Sequence, residues 1–530
     1  MKEKTAKQRY EDGKSDRNIY LRRAQAASNV TDPTLIPQAA RAESIEPGQR
    51  SDIPEIYQGT GGENLALLAS KLVQVLFPIN ENNVRFSVDE SELTRFIEEQ
   101  TADKEQQKIL RQQIETALVK FETAMSKEVE NYQVREVLPE ALMHYLVSGN
   151  VVLRLLPEKL TFYPLYKVVW FKDLSHNIRE LIIREVMWPD LLPEGTKSGL
   201  PENLYTGSDG KTHEVEVFTH VKWYPQEQTL GAQVQWHQEL ANGTRIEGSA
   251  GSSPMQGCPW VAAPFRALVG ENFARGFYEG GLLGDLLSLE EITRALVEGT
   301  TQGLKRLFGV DPMGGLTPAD VQEAPSGAVL PCKKDQVFEI GDPGRWSAAV
   351  GNMFPVIQNT QLQVQRQHSN VAAIQRDSER TTATEIREMA QALDENKGGM
   401  YSHAVQVIAM PIMQAIMLNM ERDNQLPSDL STFTTLQMVG GLDAIGRARE
   451  FNNLTAWTQF GITTYGPEAF SAYTNPTDVL TTAANSVSVD ANMHIKSREQ
   501  LEAEQAAQRE QAIAQGIVDR QLPQANNAPR

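Results

Sequence analysis

Apolar residues recur every three or four positions in several parts of the chain, and this spacing predicts amphipathic helices. One such helix opens at Gly61–Gly62 and ends at Pro78. Its apolar stripe consists of Leu65, Leu68, Leu72 and Leu76. Residues 110–125 keep the same apolar spacing opposite a charged face, which predicts a second amphipathic helix. A helix is also predicted near 3–27, and a polar arm with several prolines follows it. Such an arm has little to bury by itself, so we expect it to gain order by lying on a neighbour.

The period changes to two between residues 160 and 270. A helix through Leu142 and Leu146 ends at Ser148-Gly149-Asn150, where a left-handed turn leads into an apolar run at 151–156. Further strands are predicted over the segments 162–173, 178–188, 214–224 and 232–240, with loops at 206–212 and 248–254. The pattern therefore predicts an α+β, mainly helical chain that contains an antiparallel β-region.

Helical spacing returns at 276–308, with a stripe formed by Leu282, Leu286, Leu289, Thr293 and Leu296. Residues 309–344 are rich in Gly and Pro and predict a compact module, and a second helix follows over about 346–369. Two helices joined in this way make a protruding hairpin, whose glycines permit close approach of a neighbouring helix. Because one hairpin cannot bury both of its faces alone, we expect it to pack against copies of itself in a ring.

The longest uncharged stretch, 404–420, contains Gln406, Pro411 and Gln414. A membrane span needs about 20 predominantly apolar residues, so the stretch is predicted to be a buried helix bent at Pro411, and no membrane partner is expected. A polar loop at 370–386 precedes a further helix from 384. The chain ends in a polar helix to about 519 and a disordered tail.

The charge balance restricts the function. The 530 residues include 50 Lys and Arg against 68 Asp and Glu, which gives a formal net charge of −18. This argues against a protein that grips nucleic acid with a basic surface, but it does not exclude one that lets nucleic acid pass.

Motifs for catalysis are missing from the sequence. There is no G-x-x-x-x-G-K-[ST] phosphate loop, no H-E-x-x-H and no G-x-S-x-G, so we predict no enzyme, no catalytic residue, no metal and no cofactor. The two cysteines, Cys258 and Cys332, are too few for a disulfide framework and favour a reducing compartment.

Six stretches of the chain resemble, in the same order, the portal or head-to-tail connector proteins of short-tailed bacteriophages (podoviruses, of the autographivirus-like kind). They are NLALLASKLVQVLFP (64–78), EALMHYLVSGNVVLRLLPE (140–158), CPWVAAPFR (258–266), RGFYEGGLLGDLLSLEEI (275–292), RTTATEIREMAQALDENKGGMYS (380–402) and GLDAIGRARE (441–450). They cover most of residues 60–460, whereas the two ends of the chain depart most from the family.

The resemblance implies the portal fold with its wing, stem, clip and crown, assembled as a ring of twelve subunits. The implied segments are an N-terminal arm and wing at 1–275, stem helices at 276–305 and 345–370, the clip at 306–344, a channel loop at 371–382, wing helices at 383–435 and a crown with a polar tail at 436–530. An acidic ring wall would repel DNA phosphate and so prevent sticking.

Two groups of residues become candidates for contact with DNA. The implied channel loop carries Gln375, Arg376 and Arg380, and its mixture of positive and negative residues would hold phosphate weakly. An equal alternative is that the two arginines pair with acidic residues of neighbouring subunits. Lys305, Arg306, Lys333 and Lys334 flank the implied clip and either face DNA at the channel mouth or form ordinary solvated surface.

The resemblance also implies a function and a set of partners. The ring would sit at one capsid vertex of the virion, conduct double-stranded DNA during packaging and ejection, and nucleate procapsid assembly in the host cytoplasm. Its partners would be its own copies, viral DNA bound without sequence specificity, the terminase large subunit, tail adaptor and tail tube proteins, major capsid and scaffolding proteins, and internal core proteins. The alternatives are another virion structural protein (an internal core or tail adaptor component) and an unrecognised hydrolase.

Overall fold

The fold was obtained as a computed structural model that describes most of the chain up to residue 438 and little beyond it. The described residues are 4–36, 54–79, 82–100, 104–197, 213–227, 231–303, 307–311, 313, 317–323, 329, 337–340, 343–369, 399–427, 434–438, 454–464, 466, 474 and 479. The chain divides into two compact units, Met1–Val439 and Gly440–Arg530.

The described helices are α1 (Ala6–Asn29), α2 (Thr60–Leu76), α3 (Glu90–Gln100), α4 (Lys104–Asn131), α5 (Val134–Ser148), α6 (Glu194–Lys197), α7 (Leu282–Gly303), α8 (Pro318–Gln322), α9 (Pro343–Ser369), α10 (Met400–Arg422) and, in the second unit, α11 (454–464). The described strands are β1 (Val84–Val88), β2 (Asn150–Leu155), β3 (Leu160–Pro164), β4 (Val168–Lys172), β5 (Ile178–Met187), β6 (Val215–Glu227), β7 (Gly231–Leu240), β8 (Gly251–Pro254), β9 (Trp260–Pro264), β10 (Leu307–Val310), β11 (Val337–Ile340) and β12 (Thr434–Met438).

The predicted antiparallel β-region is confirmed, with two corrections. It forms a five-stranded sheet in the order β4-β5-β6-β7-β8 and a three-stranded sheet in the order β3-β2-β9. The single strand predicted over 162–173 is wrong, because a 3-10 turn at Leu165–Lys167 divides it into β3 and β4, which belong to different sheets. The loop predicted at 248–254 is also partly wrong, because Gly251–Pro254 pairs with β7.

The N-terminal helix, predicted near 3–27, is confirmed as α1 and lies on the five-stranded sheet of its own chain. Ala6 and Tyr10 are buried against that sheet, and Gly13 allows the close approach, since a Cβ there would lie 2.2 Å from Val169 Cγ1. Glu180 on β5 binds Arg9 of α1 and lies 2.7 Å from His220 Nε2. Residues 37–53, the greater part of the predicted arm, lie outside the described residues.

The main hydrophobic core joins α2, α5 and α10 with strand β2. The predicted stripe of α2 is confirmed: Leu65, Leu68, Leu72 and Leu76 are each at most 2 % exposed. Helix α10 is the predicted apolar helix, and Ile412, Met413 and Ile416 on it are buried in this core, although by length and composition alone it could also cross a membrane. Its irregularity is a π-turn at Val405–Ala409 just before Pro411, a residue that has no N–H to donate to the preceding turn.

The turn after α5 connects this core to the chain that enters α7. Gly149 has φ +71°, as the sequence predicted, and a Cβ there would lie 2.3 Å from the carbonyl carbon of Arg275. The Asn150 side chain exchanges two hydrogen bonds of 2.8 Å with the backbone of Ala274. The start of the predicted hairpin is therefore fixed to the core by backbone contacts.

Candidate functional site

The helix–module–helix pattern folds as a hairpin of α7 and α9, which contact each other. At 1.5 Å per residue, α7 is about 33 Å long and α9 about 40 Å. Helix α9 also contacts α2, and the backbone N–H of Tyr57 donates to Glu290 of α7 (2.9 Å). The hairpin is thus attached to the core at its base.

A short antiparallel pair joins the two helices to the module. Leu307 pairs with Ile340 and Val310 with Val337, so β10 and β11 enclose the module at 311–336. This corrects the predicted helix at 276–308, which ends at Gly303, while residues 307–310 form a strand. Within the module, Thr317 caps the start of α8, and its backbone N–H and hydroxyl donate to Asp320 and lower the pKa of that carboxyl.

One face of α7 is the predicted stripe, and the structure confirms it. Leu282, Leu286 and Leu289 are buried, while Thr293 and Leu296 are partly buried. On α9, Ile357 and Val364 are buried. The two helices therefore use one face each for contacts within the chain.

The same helices expose large apolar side chains elsewhere on their surfaces. The exposed fractions are 42 % for Leu287 and 44 % for Val297 on α7, and 54 % for Phe354, 46 % for Val356 and 47 % for Leu362 on α9. Such residues occur singly on many surfaces, and on this hairpin five of them leave apolar surface that a second protein chain could cover.

Two glycines of the hairpin lie beside open space in the single chain. A Cβ added to Gly284 of α7 or Gly351 of α9 would meet nothing within 4 Å in the chain. Of the α7 glycines for which the sequence predicted close approach of a neighbouring helix, Gly284 therefore makes no such approach within the single chain, and the space beside it is open to a second molecule.

The charge on α7 is mostly negative. The helix carries Asp285, Glu290, Glu291 and Glu298 against one arginine, Arg294. Arg294 Nε donates to Glu298 Oε1 at 2.8 Å, and this hydrogen bond raises the pKa of the guanidinium. In the described part of α7, the single cation, Arg294, is therefore paired with a carboxylate.

All seven residues predicted to contact DNA lie outside the described residues. They are Gln375, Arg376 and Arg380 of the predicted channel loop, and Lys305, Arg306, Lys333 and Lys334 beside the module. What the sequence reasoning missed is the β10–β11 pair, although the apolar runs Leu307-Phe308 and Val337-Phe338 at the two ends of the module were a signal for it. It also missed the half-exposed apolar residues of α9.

Metal and thiol chemistry find little support in the described part of the chain. There, no group of three or more His, Cys, Asp or Glu side chains is placed to hold a metal ion. Cys258 is a free, buried thiol, and burial raises its pKa to about 12, which keeps it protonated.

Comparison with known proteins identifies a family that matches most of the chain. The sequence profile of the family described as "Bacteriophage head to tail connecting protein" matches residues 3–494. The portal protein of Escherichia phage T7 is 26 % identical over 98 % of this chain and 94 % of its own length. The portal proteins of Enterobacteria phage T3 (26 % identical, 85 % of this chain and 82 % of its own) and Pseudomonas phage phiKMV (26 %, 88 % and 88 %) are similar over most of both chains.

These relatives are named as structural portal proteins, a non-enzymatic family, which excludes the hydrolase alternative. The match extends through the core, the hairpin and its module and into the second unit, so it is not confined to one segment. The chain therefore belongs to the bacteriophage head-to-tail connecting proteins, the family of podovirus portal proteins.

Proposed function

We propose that this chain forms a closed ring of twelve copies at the head–tail vertex of a short-tailed phage, and that the ring conducts double-stranded DNA during packaging and ejection. The observation that carries the proposal is the α7–α9 hairpin, whose helices leave five large apolar side chains between 42 % and 54 % exposed in the single chain. A ring covers such faces without leaving an open end, because every copy offers the same two surfaces.

The parts of the ring are assigned by the resemblance to the portal family. The wing comprises 1–275 and 383–435, the stem is built from α7 and α9 within 276–305 and 345–370, and the clip is the module within 306–344. The crown comprises 436–530, and the division of the chain at Val439 and Gly440 supports a separate crown. Residues 371–382 form the channel loop.

The channel works by weak contact. The carboxylates of α7, with Arg294 already paired to Glu298, support an acidic wall that DNA phosphate does not adhere to. Arg376 and Arg380, with Gln375, contact the passing backbone, and Lys305, Arg306, Lys333 and Lys334 lie at the clip mouth. Arginine suits such transient, sequence-independent contacts to phosphate.

The ring has further partners at its two ends. The clip docks the terminase large subunit during packaging and then the tail adaptor and tail tube proteins, while the wing and crown meet major capsid, scaffolding and internal core proteins. Assembly takes place in the host cytoplasm, where the ring nucleates the procapsid. Proteins of the internal core or a tail adaptor are the alternative, and they would not form a ring around a stem of paired helices.

Negative-stain electron microscopy and light scattering of the purified chain test the proposal. Rings with a central channel are expected, and a single-chain species at every salt concentration would overturn it. A second test compares packaged DNA in phage carrying Arg376→Ala and Arg380→Ala with phage carrying the wild-type chain. Loss of packaging or DNA retention with intact rings supports the loop contact, and normal packaging removes both residues from it.

A further inference from the structure

A cavity of about 520 Å³ lies in the first unit, and none of its lining residues belongs to α7 or α9. Its walls come from the β4–β5 turn, strand β6, the loops on both sides of β9, and helix α10 at Val407, Pro411 and Gln414. Cavities of roughly 300–1,000 Å³ are the size that holds small organic ligands. Portal function as proposed above makes no use of this cavity.

The walls are mainly apolar and include two indole rings, Trp223 and Trp260. Trp260 is 3 % exposed, with the Arg154 guanidinium 4.4 Å from its ring centre and the Tyr163 ring stacked at 6.1 Å between centroids. These contacts fix the Trp260 ring in place. Its buried Nε1–H has no hydrogen-bond partner among the described residues, so it remains available to an acceptor.

One cation reaches the cavity. Lys172, the last residue of β4, lines it, and its one hydrogen bond to the described residues is long, with Nζ 3.4 Å from the carbonyl oxygen of Glu271. Burial lowers the pKa of Lys172, because the ammonium loses hydration that its surroundings do not replace. A bound anion would restore that lost stabilisation.

The cavity opens to solvent and offers no covalent chemistry. Met255 and Val269 line it and are 42 % and 92 % exposed, so the cavity is reached from solvent on their side. Cys258 also lines the cavity, but its thiol is protonated and is therefore not a nucleophile.

We propose that this cavity is a binding site for a small aromatic anion. The planar body of the ligand packs against the half-buried ring of Trp223, and its carboxylate or sulfonate is directed to Lys172. An apolar pocket with a few polar groups that fix orientation is the usual construction of a ligand site. A charge-assisted hydrogen bond to an otherwise poorly compensated ammonium gives the preference for anions.

Isothermal titration calorimetry of the full chain with two probes tests the proposal. The anionic probe is 8-anilino-1-naphthalenesulfonate, and the neutral one is N-phenyl-1-naphthylamine, which has the same aromatic body without the sulfonate. One saturable site per chain is expected for the anionic probe. Lys172→Met should weaken the anionic probe at least about tenfold and the neutral probe less than about twofold. Its control is Lys159→Met, since Lys159 is an exposed lysine outside the lining.

A blocking variant checks the location of the site. Ala267 is exposed and lines the cavity, so Ala267→Phe should weaken the binding of both probes at least tenfold without strain in the core. The control is Ala250→Phe, at an exposed position outside the lining, which should weaken the binding of neither probe. Absence of a saturable site, equal weakening of both probes by Lys172→Met, or full binding by Ala267→Phe would each overturn the proposal.

Discussion

The exposed aromatic ring on α9 gives the most direct test of ring assembly. Phe354 is 54 % exposed in the single chain. A phenylalanine side chain buries ~150–250 Å² when it is fully covered, so a neighbouring copy that covers the exposed part of Phe354 removes about 100 Å² from water. At ~25 cal/mol per Å² this contributes about 2.5 kcal/mol to each contact between copies. Phe354→Ser therefore weakens each contact roughly 70-fold.

Sedimentation velocity over a dilution series measures the effect. Because each added copy makes one such contact, the concentration at which half of the chains are in rings should rise by about the same factor. The matched control is Ile357→Ala on the same helix, where the side chain is only 8 % exposed. This control should lower the free energy of unfolding of the chain while leaving the midpoint of ring assembly close to wild type, once the chain is folded.

The two variants together separate assembly from folding. If Phe354→Ser assembles at the wild-type concentration, then Phe354 faces solvent in the ring, and the assignment of this face of α9 to a contact between copies is wrong. If Ile357→Ala shifts assembly as strongly as Phe354→Ser, the effect reflects folding of the hairpin rather than a surface between copies.

Three further predictions concern the first unit. Gly149→Ala should lower the free energy of unfolding in urea by more than ~2 kcal/mol, because a left-handed alanine alone costs about 1–2 kcal/mol and its Cβ would lie 2.3 Å from the carbonyl carbon of Arg275. A smaller loss would contradict the tight turn. Burial lowers the pKa of His144 to about 4, so the free energy of unfolding should fall by about 3 kcal/mol between pH 6.5 and 4. An equally steep fall in His144→Gln would show that His144 is not the cause. Burial would raise the pKa of Glu180, but hydrogen bonds from His220 and Arg9 outweigh burial and lower this pKa to about 2, so the stability that the ionised Glu180 contributes should be lost as pH falls from about 4.5 to 2. Glu180→Gln should also speed hydrogen exchange in α1 at pH 7, and unchanged exchange would show that Glu180 does not hold α1 on the sheet.

Local patterns in the sequence were sufficient for much of the fold. The stripe Leu282, Leu286 and Leu289 repeats at helical spacing and is buried, and Gly149 has the positive φ that its place between helix and strand required. These features depend on neighbours within a few residues, so a periodic pattern captures them. The same holds for α2 and for the alternating strands of the five-stranded sheet.

Features set by distant partners were not predictable. Strand β8 consists of small polar residues and Pro254, and only its pairing with β7 makes it a strand. Phe354 on α9 has the same hydrophobicity whether it lies in a core or on a surface between copies, so periodicity alone cannot separate the two. The residues predicted to contact DNA stay predictions, because their placement depends on parts of the chain outside the described residues.

The pairing of β1 with β12 has a consequence for how the protein is made. Val84–Val88 pairs with Thr434–Met438, across about 350 residues that include the whole hairpin. At roughly 5–20 residues per second, the ribosome needs on the order of 20–70 s to deliver β12 after β1 has emerged. Through that interval β1 lacks its partner strand, while the apolar surface of α7 and α9 has already been synthesised. Contacts between nascent chains on one messenger RNA therefore compete with closure of the first unit, and slower translation near residue 438 should increase misassembly.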